Sequence, residues 1–180
     1  NRADYSSEIG ALASAGGEAL VVAGYSDSGG SGIIRASLDT GAFDVFVLPD
    51  GMVGQGLIDR FGTEIDGSFG QYPGTDSEGG EIYAQLASSA GFDGTSPFSG
   101  EAYDSVALML LAMQSAESTV PGDYVEHILN VANAPGEKIM PGELEKALQL
   151  LADGVDIDYV GASAVELIGP GESGGRYIEV

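Results

Sequence analysis

Two apolar segments with a helical stretch between them decide the fold: Ala-Leu-Val-Val-Ala at 19–23 and Val-Phe-Val-Leu at 45–48. Neither alternates polar and apolar residues, which is typical of parallel strands buried on both faces. A helix predicted over about 29–38 would join them as a parallel βαβ unit. The strands run into Gly24-Tyr25-Ser26 and Pro49-Asp50-Gly51. Since ligands bind beyond the carboxyl ends of strands in open α/β sheets, Tyr25, Ser26 and Asp50 are candidate binding residues.

Composition excludes several classes of function. The 180 residues carry 28 acidic and 6 basic side chains, a net charge of −22, which disfavours nucleic acid and anionic lipid as partners. The acidic surface is interpreted as solubilising or salt-adapted, with a docking face for a basic partner as the alternative. Because there is no cysteine, disulfides, zinc–thiolate sites and cysteine catalysis are excluded. No apolar run is long enough to cross a bilayer.

Each candidate residue has a structural and a functional interpretation. Pro49-Asp50-Gly51 is a strong turn signal, but a carboxylate just past a buried strand also suits a ligand ammonium group. Tyr25 is either an ordinary aromatic at a strand end or a ring that contacts a cationic or aliphatic group. Glu101, Tyr103 and Asp104 open a helix, where acidic residues complement the helix dipole or line a cleft.

Other motifs point away from catalysis, metals and nucleotides. The Gly-rich turn at 29–32 lacks the lysine and the spacing of a phosphate-binding loop, so no nucleotide cofactor is expected. His127 is the only histidine and is interpreted as structural, which leaves no credible serine–histidine pair and no metal site. We therefore expect no catalytic residue and no cofactor.

The pattern changes after the polar stretch at 73–80, from strand–helix alternation to consecutive helices. These are predicted over about 81–90, 100–116, 122–133 and 141–152. The second is apolar nearly all round and is expected to be buried on most sides, yet no group of strands is predicted in this half to cover it. The simplest interpretation is that the chain is a piece of something larger; the alternatives are a self-sufficient α+β domain or a swapped oligomer.

The order and spacing of these segments resemble the second half of a type I periplasmic binding protein of the branched-chain amino-acid ABC-transporter class. The resemblance covers nearly the whole chain and rests on these stretches: Ala19 to Tyr25, Gly32 to Leu38, Phe46 to Met52, Gly67 to Gly70, Gly100 to Leu108 and the segment around Gly169-Pro170-Gly171. It implies an α/β fold with a doubly wound parallel-sheet lobe and an incomplete second lobe.

The resemblance also implies a domain division and ligand contacts. Residues 1–72 would belong to the carboxyl-terminal lobe, 73–160 to the helical part of the amino-terminal lobe, and 161–180 would cross back. In such proteins an acidic residue after a strand grips the ligand ammonium, which falls on Asp50, and an aromatic after the preceding strand falls on Tyr25. The ligand-binding residues are then predicted to be Tyr25, Ser26, Asp50, Gly51, Met52, Glu101 and Tyr103.

The function implied is that of a non-catalytic periplasmic solute-binding subunit, which captures a small amino-acid-like ligand between two lobes and presents it to the membrane permease subunits of an ABC transporter. Direct membrane insertion and nucleic-acid binding are not expected. The alternative is a ligand-sensing domain of a receptor or regulator on the same fold, and a hydrolytic enzyme is a further rival.

Overall fold

The computed structural model describes residues 4–74, 76–169 and 171–180, which divide into two compact units. Unit 1 contains the residues up to Pro73 together with Tyr177–Val180, and unit 2 is Gly74–Arg176. The first division falls at the start of the polar stretch at 73–80. Residues 161–176 lie in unit 2, so the return to unit 1 occurs at Tyr177 rather than near residue 161. That these units are parts of two lobes stays a prediction.

Unit 1 alternates helices and strands in its first 73 residues. Its elements are α1 (Ser6–Ala15), β1 (Leu20–Val21), α2 (Gly30–Thr40), β2 (Phe46–Leu48), α3 (Gln55–Phe61), β3 (Phe69–Pro73) and, from the far end of the chain, β8 (Tyr177–Glu179). The strands form one sheet in the order β1-β2-β3-β8. β1, β2 and β3 are mutually parallel, which confirms the predicted βαβ unit, and β8 pairs antiparallel with β3.

Helices cover one face of this sheet. Leu20, Phe46 and Leu48 point to that face and are at most 7% exposed. They share an apolar cluster with side chains of all three helices, among them Ile9 of α1 and Ile34 of α2. The core of unit 1 therefore lies between the sheet and α1, α2 and α3.

Local signals in the sequence set the ends of α2. Gly41 adopts a left-handed conformation (φ 66°) and its amide donates to the carbonyls of Leu38 and Ser37, which ends the helix. The hydroxyl of Ser37, fully buried, exchanges hydrogen bonds with the amide and carbonyl of Phe43. These bonds fix the chain entering β2.

Unit 2 is mainly helical. Its elements are α4 (Glu78–Ser89), α5 (Ser99–Ser115), α6 (Pro121–Tyr124), α7 (Ile128–Ala132), β4 (Glu137–Ile139), α8 (Leu144–Ala152), β5 (Ile157–Tyr159), β6 (Leu167–Gly169) and β7 (Glu172–Ser173). The helix predicted over 122–133 is two short α-helices joined by a 3-10 turn at Val125–His127. The Gly-Pro-Gly segment at 169–171 includes Pro170, which lies outside the described residues.

Unit 2 contains a small sheet that the sequence pattern did not predict in full, but it does not cover α5, which packs mainly against α7 and α8. β4 and β5 form a parallel two-stranded sheet, and Ile139, Ile157 and Tyr159 from it are at most 2% exposed. They share a cluster with Leu108 and Leu111 of α5. The sheet is too small to surround α5, so this helix is covered on one side only.

The expectation that α5 is buried on most sides is wrong for the same reason. Val106, Met109 and Leu110 are 53%, 39% and 42% exposed. They lie opposite the buried positions of the same helix, because residues three and four apart share a face. An apolar composition all round the helix therefore does not mean burial all round within these residues.

Candidate functional site

The candidate site lies at the carboxyl edge of the unit 1 sheet. β1 and β2 are parallel neighbours with Leu20 opposite Phe46 and Val21 opposite Val47, so both chains leave the sheet at the same edge. Each then enters a short 3-10 turn, Ser26–Ser28 after β1 and Asp50–Met52 after β2. This shared edge places the two predicted binding segments side by side.

Glycine at position 51 allows the two segments to touch. A Cβ atom there would lie 2.5 Å from the Gly24 carbonyl oxygen and 2.8 Å from Cδ1 of Tyr25, closer than packed atoms tolerate. The backbone after Asp50 therefore rests directly against the Tyr25 ring. That ring is 68% exposed, so its outer surface is free to meet a ligand. Tyr25 and the Asp50–Gly51 turn form one rim.

Asp50 is an exposed carboxylate on this rim. Its Oδ1 atom accepts a hydrogen bond from the Gly51 amide at 2.7 Å, which stabilises the turn. Among the described residues no cationic side chain pairs with it; the ion pairs there are those of Arg35 and Lys146. Both the turn role and an unpaired negative charge are thus present at the same residue.

The Met52 side chain lies beneath the rim rather than on it, and a ligand contact through its backbone stays a prediction. Its side chain is fully buried in the unit 1 cluster. Its sulfur packs against Gly30, where an added Cβ would overlap it, and the Gly30 amide donates to the Tyr25 carbonyl at 3.1 Å. Met52 supports the backbone that carries Tyr25. Ser26, which is half-buried, begins the turn after Tyr25.

Glu101 and Tyr103 belong to unit 2, whereas Tyr25 and Asp50 belong to unit 1. The ring of Tyr103 packs against that of Tyr83, with centroids 5.0 Å apart, and its hydroxyl accepts a hydrogen bond from the Gly142 amide at 3.0 Å. Glu101 is half-buried in the first turn of α5. Tyr103 therefore already has a structural role within its own unit.

Asp104 is a buried carboxylate whose importance the sequence did not reveal. It is 2% exposed and accepts four hydrogen bonds: from the Tyr159 hydroxyl at 2.9 Å, the Ala162 amide at 2.8 Å, and the Ser163 amide and hydroxyl at 2.7 and 2.6 Å. Four donors compensate for the loss of water around a charged group. One signal in the sequence could have indicated its burial: Asp104 lies three and four residues before Ala107 and Leu108, so it shares their apolar face of the helix.

The loop that contains Gly161 packs closely against the Asp104 carboxylate. Gly161 has φ +63°, and a Cβ there would overlap the Asp104 carboxylate, so the loop needs glycine. Burial raises the pKa of the Tyr159 hydroxyl well above its usual range, and the negative charge of Asp104 raises it further. Tyr159 is therefore a neutral hydrogen-bond donor. We name Asp104, Tyr159, Ala162 and Ser163 the Asp104 cluster.

One serine–histidine contact exists in unit 2, although the sequence offered no credible catalytic pair. The Ser115 hydroxyl lies 2.9 Å from Nδ1 of His127 and joins the end of α5 to the 3-10 turn before α7. Across the described part of the chain, no carboxylate hydrogen-bonds the other ring nitrogen. The contact ties two helices together, and it lacks the third group that orients a catalytic histidine.

In residues 4–74, 76–169 and 171–180 there is no group of three or more histidine, aspartate or glutamate side chains arranged to hold a metal ion. None of the helices within those residues has the length and apolar character needed to span a bilayer.

Comparisons with known proteins agree with the architecture. No protein-family model matches this sequence, and no curated protein matches it. A solved structure does: leucine-binding protein LivK from Thermotoga maritima MSB8 superposes with a TM-score of 0.72 over 99% of this chain, at 16% sequence identity. The fold is that of a type I periplasmic binding protein.

The match spans less than half of the leucine-binding protein. These 180 residues cover 45% of its length, so the chain corresponds to part of a binding-protein fold. At 16% identity the likeness establishes the fold, and the α/β class and parallel sheet predicted from the sequence are confirmed by it. The ligand and the roles of Tyr25 and Asp50 stay predictions.

Proposed function

We propose that this chain is part of the solute-binding component of an ABC transporter, located in the periplasm, which encloses a small amino-acid-like ligand between two lobes and delivers it to the membrane permease. The observation that carries the proposal is the rim of unit 1, where the Tyr25 ring lies against the Asp50–Gly51 turn at the carboxyl ends of two parallel strands. This is the edge at which open α/β sheets bind ligands.

The chemistry of the rim suits an ammonium group. Asp50 carries a negative charge that no described cation neutralises, and a carboxylate–ammonium hydrogen bond is stronger than a neutral one. The exposed face of Tyr25 attracts a cation or packs against aliphatic carbons. Ser26 adds a hydroxyl, and the backbone of Gly51 is a further proposed contact. Glu101 and Tyr103 are proposed contacts from the other lobe.

Binding of this kind needs no covalent chemistry. We propose a non-catalytic protein in which closure of the lobes removes water from the ligand, so that the Asp50 charge acts in a less polar environment. The structural relative is a leucine-binding protein, which supports an amino acid as the ligand class.

The test is the variant Asp50→Ala, made in the protein expressed from its complete reading frame and titrated with the standard amino acids by calorimetry. We expect a loss of about 2–5 kcal/mol in binding free energy, because a buried ammonium group would lose its charged partner. Asp44→Ala is the matched control: Asp44 is exposed and precedes the same strand at its opposite end. Equal affinities of wild type and Asp50→Ala would refute the role of Asp50.

A further inference from the structure

The Asp50–Gly51 step holds two groups that can react with each other in direct contact. Oδ1 of Asp50 lies 2.7 Å from the Gly51 nitrogen and accepts its hydrogen bond. The carboxyl carbon is one bond further on, so it lies about 3–4 Å from that nitrogen, close to the separation of a near-attack pair. Asp50 is exposed, so water reaches the same atoms. This is the arrangement from which an aspartyl residue cyclises onto its own backbone.

Glycine at position 51 leaves the attacking nitrogen accessible. Gly51 has no side chain to hinder the approach of its nitrogen to the Asp50 carboxyl. In the described part of the chain, the Gly51 amide donates to no backbone carbonyl. The next amide along, that of Met52, is held by the Pro49 carbonyl at 2.8 Å. The Gly51 amide is therefore the one in this turn whose partner is the carboxyl it would attack.

The chain contains three further aspartate–glycine steps, which show what is particular to this one. They are Asp66-Gly67, Asp93-Gly94 and Asp153-Gly154, and their three aspartates are exposed as Asp50 is. Within residues 4–74, 76–169 and 171–180, only the Asp50 carboxyl hydrogen-bonds the amide of its own following glycine. The dipeptide is common to all four steps, whereas the contact between the reacting groups belongs to one.

Two of the other steps are engaged in different hydrogen bonds. Oδ1 of Asp93 accepts from the amide and the hydroxyl of Thr95, at 2.9 and 2.7 Å. The Gly154 amide donates to the Leu151 carbonyl at 3.1 Å. In the first case the carboxyl is turned to another donor, and in the second the nitrogen is turned to another acceptor. Both arrangements oppose cyclisation.

We propose that Asp50 is a site of spontaneous isomerisation to isoaspartate. The Gly51 nitrogen bonds to Cγ of Asp50, a carbon–oxygen bond of the protonated carboxyl breaks, and water leaves with that oxygen, the carboxyl proton and the amide proton. The product is a cyclic succinimide. Water then adds to one of its two carbonyl carbons and breaks the bond from that carbon to nitrogen. Opening at Cγ restores aspartate, and opening at the main-chain carbonyl gives isoaspartate, with no net change in composition.

Isomerisation would remove the ligand contact assigned to Asp50, a consequence that rests on the proposed function. Isoaspartate carries the main chain through Cβ and Cγ, which lengthens it by one methylene group. The backbone at Gly51 has no room for this, since even an added Cβ would lie 2.8 Å from Cδ1 of Tyr25. The turn must therefore move, and the free carboxylate leaves its place on the rim. A bound ammonium group would hold the carboxylate and slow the cyclisation.

The experiment measures succinimide formation at each aspartate–glycine step. The protein expressed from its complete reading frame is incubated at neutral pH in water enriched in oxygen-18, digested in ordinary water and mapped by mass spectrometry. Each opening of a succinimide inserts one heavy oxygen at that position, whichever product forms. The other three steps are internal controls. The same protein unfolded in urea gives the rates that local sequence alone sets.

In the folded protein we expect oxygen-18 to accumulate at Asp50 at least about 10-fold faster than at the other three aspartates, because only there are the reacting atoms held together. In urea the four positions should become labelled at similar rates. The variant Asp50→Glu keeps the charge but would have to close a larger ring, so position 50 should stay unlabelled. Folded-state labelling of Asp50 no faster than that of the controls, or the same preference in urea, would overturn the inference.

Calorimetry on the incubated protein separates this inference from the proposed function. If both hold, the number of amino-acid sites per molecule falls in step with isoaspartate at position 50, and added amino acid slows labelling there but not at the controls. Isomerisation with no loss of sites would keep the modification and refute the ligand contact. Amino-acid binding that Asp50→Ala abolishes, without preferential labelling of Asp50, would refute the modification and keep the contact.

Discussion

Asp50 in unit 1 and Asp104 in unit 2 are both aspartates close to the end of a strand or helix, but Asp50 is exposed to solvent and Asp104 is buried. Asp104 is 2% exposed and accepts four hydrogen bonds, three of them from residues 58 or 59 positions away and one from the Tyr159 hydroxyl, 55 positions away. Asp50 is exposed and accepts one hydrogen bond, from its neighbour Gly51.

This difference in burial indicates which carboxylate stabilises the fold and which is available to bind a ligand. A buried carboxylate whose acceptor sites are filled by its own protein holds distant segments together and has little left for a ligand. An exposed carboxylate on a fixed turn contributes little to folding and keeps its charge available. Asp104 should therefore matter to folding, and Asp50 to binding.

The largest effect is expected for Asp104→Ala. Removing this carboxylate leaves the hydroxyls of Tyr159 and Ser163 and two backbone amides without their acceptor, and we expect the free energy of unfolding to fall by about 3–5 kcal/mol. Urea denaturation followed by circular dichroism measures it. Asp50→Ala is the comparison variant and should change stability by less than about 0.5 kcal/mol. Equal losses of unfolding free energy in the two variants would show that Asp104 matters no more to folding than Asp50.

A smaller loss is expected for Gly51→Ala. The added methyl group would meet the Gly24 carbonyl oxygen and the Tyr25 ring, so the rim must shift, at a cost of about 1–3 kcal/mol. Gly56→Ala is the control: it lies inside α3 with nothing within 4 Å of the new Cβ, and should stabilise the helix by up to about 1 kcal/mol. A neutral Gly51→Ala would mean that the rim is loose, and would weaken the case for a preformed site.

The smallest effect is expected for Tyr159→Phe, which tests the hydrogen bond between the Tyr159 hydroxyl and Asp104. One of four donors is lost, and we expect a loss of about 1–2 kcal/mol at neutral pH. Because the pKa of folded Tyr159 is raised above its unfolded value, its stabilising contribution is complete below pH of about 10 and disappears as the pH rises further.

Alkaline unfolding of Tyr159→Phe should accordingly be less steep than that of wild type. The free energy of unfolding measured at pH 8 and above pH 10 tests this sign. Identical alkaline slopes would show that the Tyr159 hydroxyl titrates alike in the folded and unfolded chains, and would remove it from the Asp104 cluster as a neutral donor.

The sequence predicted the features that depend on local pattern. Continuous apolar runs located β1 and β2, and parallel pairing of those runs implied that the segments around Tyr25 and Asp50 meet at one edge. The helix predicted over about 29–38 is α2, Gly30–Thr40. These features need only periodicity and the conformational preferences of single residues.

Features that depend on distant contacts were not predictable in the same way. β4 was missed because two of its three residues, Glu137 and Lys138, are charged and only Ile139 enters the core. The role of Asp104 depends on a loop 58 positions away. The burial of Met52 follows from how closely Gly30 approaches it, which no spacing along the chain reveals.

The pairing of β3 with β8 has a consequence for biosynthesis. Pro73 and its partner Tyr177 are separated by all of unit 2, yet their strands are neighbours in the unit 1 sheet. During translation one edge of β3 stays unpaired until the ribosome has made the roughly one hundred residues of unit 2. Unit 2 is therefore synthesised before the sheet of unit 1 acquires its edge strand β8. A nascent chain arrested ahead of residue 177 would leave the edge of β3 exposed to pairing with other chains.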